Sequence, residues 1–204
     1  DLVPMMPLNQ FRSLVCSCSV FISCVSFAAA QDSSLKLNVR SRLETEQSSK
    51  RWHATTKPVE WKAAETAIVI CDMWDRHWCS QATERVGQMA PRMNEVVNAA
   101  RDRGALIIHC PSDTLDFYKN TRQRKLAQSA PKVETKVPLQ NWCHLDASVE
   151  GMALPIDDSD GGCDCETPVK NYRAWSRQHP AIEIADGDAI TDSAEAFYLM
   201  KQRG

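Results

Sequence analysis

The residue best placed for chemistry is Asp72. It ends the continuous apolar run Ala67-Ile68-Val69-Ile70-Cys71, the pattern of a strand buried on both faces. In an open parallel sheet, ligands bind beyond the carboxyl ends of the strands. A partly desolvated carboxylate at such a junction acts as a general base or orients one. The plainer alternative, a carboxylate that caps loop N–H groups, is the commoner use of an Asp at that spacing. The loop that follows carries Trp74, Asp75, Arg76, His77, Trp78 and Cys79. Trp74, His77 and Trp78 are the substrate-binding candidates, able to line the same mouth. Trp142 and Trp175 either join them as an aromatic pocket or pack in the core. For His77 and Cys79 the competing reading is a loop histidine beside a disulfide cysteine.

The cysteines depend on where the chain resides. Arg12, an apolar and small-residue run over 14–27 and Ala28-Ala29-Ala30 have the order of a secretory signal peptide. Asp1-Leu2-Val3-Pro4, ahead of Met5-Met6, read as non-native start residues. The run is too short and too interrupted by Ser and Cys for a membrane span of about 20 residues. A buried N-terminal segment and a lipid anchor at Cys24 are the alternatives. An exported chain, periplasmic or extracellular, is the expectation. Removal of residues 1–30 takes Cys16, Cys18 and Cys24, leaving 9 − 3 = 6 cysteines: Cys71, Cys79, Cys110, Cys143, Cys163 and Cys165. An even count in an oxidising compartment favours disulfides, in fifteen pairings that sequence cannot rank. Free buried thiols come second. A metal comes third: His77, His109 and His144 lie near cysteines, but no paired C-x₂₋₄-C knuckle occurs and Cys163-Asp164-Cys165 is too tight for one. The acidic residues Asp157, Asp158, Asp160 and Asp164 around Gly161-Gly162 lack the order of an EF-hand and read as a solvated loop.

The elements that must position these residues follow from periodicity. Leu35, Leu37, Val39 and Leu43 alternate as in a short exposed strand. Residues 31–60 otherwise read as a polar extension, with Trp52, Pro58 and Trp61 in a loose segment. After the strand that ends at Asp72, Pro91 suits the first position of a helix. Met93, Val96, Val97 and Ala100 give that helix its apolar stripe, and Gly104 closes it. Ala105-Leu106-Ile107-Ile108-His109 is a second buried strand. Strand, helix and strand at these lengths predict a βαβ unit with a parallel sheet. A second helix is predicted over 113–128, with Arg122, Arg124 and Lys125 on a solvated face, then an irregular region over 131–170. Asp192 and Glu195 read as the N-cap and capping-box partner of a last helix, which closes at Gly204. A parallel sheet calls for a further strand after it.

The run Ala67 to Met73, the segment from Asn94 to His109 with its Ala-Arg-x-x-Gly turn, and the segment over 192–204 together resemble the isochorismatase-like superfamily, which includes nicotinamidases and related cysteine hydrolases. The resemblance implies a three-layer, Rossmann-like parallel sheet over residues 61–204 and hydrolysis of a small amide, ester or ether-like metabolite. It makes Asp72 the base of an Asp, Lys and Cys set. The lysine is expected shortly before the last helix, where Ile182 to Ile190 contain none. The nucleophilic Cys belongs on a turn beyond Gly204. The family's Asp-x-His metal motif after the second strand is replaced by Cys110-Pro111-Ser112-Asp113, and Trp74 stands where Gln is common. The resemblance therefore implies a fragment that does not turn over substrate by itself; the alternative is a secreted binding or scaffold domain that keeps the fold without the chemistry.

Composition sets the outer limits. The 204 residues are 43% hydrophobic and 25% charged, ordinary globular values, with 24 basic against 26 acidic side chains and a net charge of −2. That balance offers no electrostatic reason for a nucleic-acid or anionic-membrane partner. Only 7 glycines occur, and they form no phosphate-binding loop. The expected partner is a small-molecule substrate, with no cofactor, no metal, no nucleic acid and no membrane after signal removal; self-association into a homo-oligomer is left open.

Overall fold

Two sheets organise the residues that the computed structural model describes, 33–140, 163, 165 and 172–204, all within one compact unit, Asp32–Gly204. The first sheet is an antiparallel hairpin of β1 (Ser34–Glu44) and β2 (Trp52–Lys62), in register from Ser34 opposite Lys62 to Glu44 opposite Trp52. Along β1, Leu35, Leu37 and Val39 are half-buried while Lys36, Asn38 and Arg40 are exposed, as the alternation predicts. β2 corrects the loose segment. Its Trp52 and Trp61 stay largely exposed, so no burial pattern announced it. Pro58, opposite Asn38, is tolerated because a two-stranded ribbon leaves every second N–H unpaired.

The second sheet is parallel, in the order β3–β4–β5, with β3 (Ala67–Cys71), β4 (Leu106–Cys110) and β5 (Ala189–Ile190). The predicted βαβ unit is present. Its helix α1 (Ser80–Arg101) starts well before Pro91, which lies inside it. The proline ring presses on the turn of residue i−4, and that residue is Gly87. The buried face is Ala90, Val97 and Ala100, with Val86 and Met93 packed beside them. Val96, placed on the stripe by spacing, points outward at 49% exposure. Past the helix, Gly104 has φ +94°, and a Cβ there would meet nothing within 4 Å. Gly104→Ala therefore adds backbone strain without a clash. Its expected cost is roughly 1 kcal/mol in a urea unfolding titration.

β4 is buried from Leu106 to His109, and its side chains alternate between two cores. Ile107 joins Ile70, Ala90, Val97, Ala100 and Ile182 on the α1 face. Leu106 and Ile108 join Ala127, Ala189 and Leu199 on the other. The fold is thus mixed α/β with helices on both sheet faces. The helix predicted over 113–128 is two, α2 (Leu115–Tyr118) and α3 (Arg122–Gln128). The chain restarts at Thr121, whose hydroxyl accepts the Arg124 N–H at 3.2 Å, a side-chain cap. The last helix, α4 (Glu195–Arg203), has Ala194 at its N-cap. The capping-box reading fails because the Glu195 carboxylate faces Arg124 and accepts the Thr191 hydroxyl at 2.8 Å. Arg124 is accordingly not part of a solvated basic face, whereas Arg122 and Lys125 are exposed.

Residues 131–140 are irregular, as expected. The signal segment, Cys143, His144, Trp142 and the acidic cluster around Gly161-Gly162 lie outside the described residues. Among those described, no helix is long and apolar enough to cross a membrane.

Candidate functional site

At the carboxyl end of the parallel sheet, three loops meet. Asp72 leaves β3 with φ +50°, in the left-handed region that Asp tolerates better than most residues. Its N–H donates to Cys110 O at 3.0 Å, and its exposed carboxylate accepts the Ser112 N–H at 3.0 Å. Ser112 ties Asp72 to the aromatic loop, because its carbonyl accepts the Trp74 indole N–H at 3.1 Å. The segment over 172–182 closes the third side. His179 donates its N–H to Met73 O, and Trp74 forms an antiparallel bridge with Gln178. Asp75 takes the Ser176 N–H at 2.9 Å and hydroxyl at 2.6 Å, and the Arg177 N–H at 3.3 Å. Burial alone pushes the Asp75 carboxyl up, but these hydrogen bonds outweigh it and hold the group below its usual range.

The aromatic residues form one stack. Trp74 lies 4.2 Å from Trp175 with the rings 9° apart, and His77 lies 5.5 Å from Trp175 at 7°. Trp78 sits tilted against His77 at 4.5 Å. Burial lowers the His77 pKa, and its Nδ1 accepts the Cys79 N–H at 3.1 Å. The neutral ring therefore carries its proton on Nε2. The Trp175 indole N–H is buried without a hydrogen-bond partner among the described residues. Trp74, His77 and Trp78, the three named from sequence, are brought together, and Trp175 completes them. Trp175 lies about a hundred residues downstream of Trp74, so only its residue type pointed to it.

The end of β5 leads into Thr191 and Asp192. The Asp192 carboxylate accepts the Asp113 N–H at 3.2 Å, so a residue read as a helix cap belongs to this sheet end. Two thiols flank Asp72. Cys71 and Cys110 are register partners at the ends of β3 and β4. Burial pushes the Cys110 thiol up to about 12, helped by Cys71, Asp192 and Asp72. It is protonated at neutral pH and is no activated nucleophile.

The expected disulfides are not formed among the described residues: Cys71, Cys79, Cys110, Cys163 and Cys165 are free thiols. Cys79, Cys163 and Cys165 instead cluster at the start of α1, with Cys79 at its N-cap. Among the histidines read as lying near cysteines, His109 is not free to hold a metal. His109 is fully buried, with Nδ1 2.8 Å from Gln178 Oε1 and Nε2 3.1 Å from Asp188 Oδ2. Both ring nitrogens are occupied. Asp188 also takes a fork from Arg101, Nε to Oδ1 at 2.9 Å and Nη2 to Oδ2 at 2.7 Å. This buried network draws on four separate segments, and no local spacing announces it.

No family model, curated protein or solved structure matches the chain.

Proposed function

We propose that the chain is an exported small-molecule site of the isochorismatase-like, Rossmann-related kind. Its ligand is a small amide, ester or ether-like metabolite with a planar group. The observation that carries this reading is the meeting of Asp72 with the Trp74–Trp175–His77 stack at the carboxyl end of a parallel sheet. The stack offers a flat apolar platform. Among the described residues the buried Trp175 N–H has no acceptor, and an amide or ester carbonyl would supply one, offsetting a desolvation cost of about 1–3 kcal/mol. Asp72, exposed beside the stack, is the proton acceptor in the hydrolytic mechanism.

Acyl transfer also requires a thiolate and donors for the developing oxyanion. Cys110 is held protonated, and the stretch Ile182 to Ile190, where the resemblance expects a lysine, carries none. On this reading the site beside Asp72 binds without turnover. A hydrolysis screen of small aromatic amides and esters tests this: the expected result is no release above the buffer rate, identical in Asp72→Asn. Release by the wild type that Asp72→Asn abolishes would overturn the inactive reading and make Asp72 a working base. One observation favours a purely binding role: Asp72 already spends one carboxylate oxygen on the Ser112 amide, the use of a loop cap.

A further inference from the structure

The thiol cluster at the start of α1 adjoins the proposed substrate site, where the Cys79 N–H donates to His77 Nδ1 at 3.1 Å, but no step of the proposed function uses it. The sulfurs of Cys79, Cys163 and Cys165 all lie within 4.8 Å of one another, with Cys79 Sγ and Cys165 Sγ 3.4 Å apart. A disulfide needs about 2.05 Å, whereas sulfurs around one tetrahedral zinc, with Zn–S about 2.3 Å, stand roughly 3.8 Å apart. A disulfide also pairs only two of three thiols and leaves the third behind, and both Cys79 and Cys163 are buried. We infer that Cys79, Cys163 and Cys165 form a three-thiolate site for Zn²⁺, with a fourth position for water on the side of the partly exposed Cys165.

The surroundings suit thiolates. The Cys165 N–H points at Cys163 Sγ at 3.4 Å, and the Ser80 hydroxyl lies 3.4 Å from Cys165 Sγ. The Cys79 N–H is fixed by His77 Nδ1. Such outer hydrogen bonds orient metal ligands and temper their charge. On binding, each S–H proton leaves to solvent as a Zn–S bond forms. Three thiolates on a divalent cation leave one net negative charge. It sits at the N-terminus of α1, a helix of 22 residues, whose dipole favours it. Three soft sulfur ligands also select zinc over magnesium or calcium. The tight Cys163-x-Cys165 spacing hid the site, because the third ligand comes from a loop 84 residues upstream of Cys163 (163 − 79).

The test is the metal content of the full chain, purified under reducing conditions from zinc-supplemented medium. The expected result is about one zinc per chain, falling at least about tenfold in Cys165→Ser and unchanged in Cys71→Ser. Circular dichroism checks that each variant is folded. Titration of the metal-free wild type with Cd²⁺, which needs no variant, is expected to raise sulfur-to-metal charge-transfer absorption that saturates at about one equivalent. Wild-type protein without stoichiometric zinc or a Cd²⁺ band would overturn the site. So would zinc retained in folded Cys165→Ser, or an intact mass two hydrogens lighter that maps a disulfide to these cysteines.

Discussion

Asp188→Asn is expected to lower the unfolding free energy by about 3–5 kcal/mol, the usual consequence of removing one partner of a buried ion pair. Asp188 is 1% exposed. Its carboxylate accepts hydrogen bonds from Arg101 and the Ala185 N–H and meets His109 Nε2 at 3.1 Å. Asparagine keeps the shape but leaves the Arg101 guanidinium, whose side chain is only 19% exposed, without a counter-charge. Urea unfolding measures the loss, with the exposed Asp186→Asn, expected within about 0.5 kcal/mol of wild type, as control. The same carboxylate predicts an acid limb. Burial pushes its pKa up, but the bonds to His109, Arg101 and Ala185 outweigh that and bring it to about 2, against an ordinary 3.8. A depressed folded pKa gives stability that is present above the unfolded value and lost as pH falls through the folded one. About 2 kcal/mol should therefore disappear between roughly pH 4 and pH 2, and Asp188→Asn should flatten that limb. An unchanged limb in the variant would refute the assignment.

The second large effect belongs to the central strand. Ile108→Ala is expected to cost about 2–5 kcal/mol, because Ile108 is fully buried among Ala127, Ala189 and Leu199. Its neighbours come from β5, α3 and α4, so a cavity there loosens the sheet face opposite α1. Val96→Ala provides the contrast. Spacing places Val96 on the apolar stripe of α1, but it is half exposed, and its truncation should change stability by no more than about 0.5 kcal/mol. Equal losses at the two positions would mean that the face assignment of α1 and β4 is wrong.

What could be read from sequence was set by how local each signal is. β3 and β4 announce themselves because both faces of each are apolar over five residues, and Asp72 follows as the first polar residue past the core. The loop aromatics Trp74, His77 and Trp78 follow in turn. β5 is only two residues long and has no periodicity of its own; it exists because β4 offers it a ladder and Asp188 anchors its start. Pro91 misled for a physical reason: proline opens helices more often than it sits inside them, and here residue i−4 is a glycine. The break at Thr121 was legible in principle as a capping residue, but the run Arg122-Gln123-Arg124-Lys125 directly after it has high helix propensity and drew the two helices into one. Trp175, Asp192 and the Cys163–Cys165 pair reach their sites only through tertiary contact.

The central claim, that the stack beside Asp72 receives a planar amide or ester, is tested most directly by calorimetric titration of the full chain with small aromatic amides. Wild type and Trp175→Ala are compared at equal concentration, with Trp52→Ala on the exposed hairpin as control. Saturable binding by wild type and Trp52→Ala, weakened about tenfold or more in Trp175→Ala, is the predicted result. Binding equally strong in all three proteins, or no binding by the wild type to any member of the series, would contradict it.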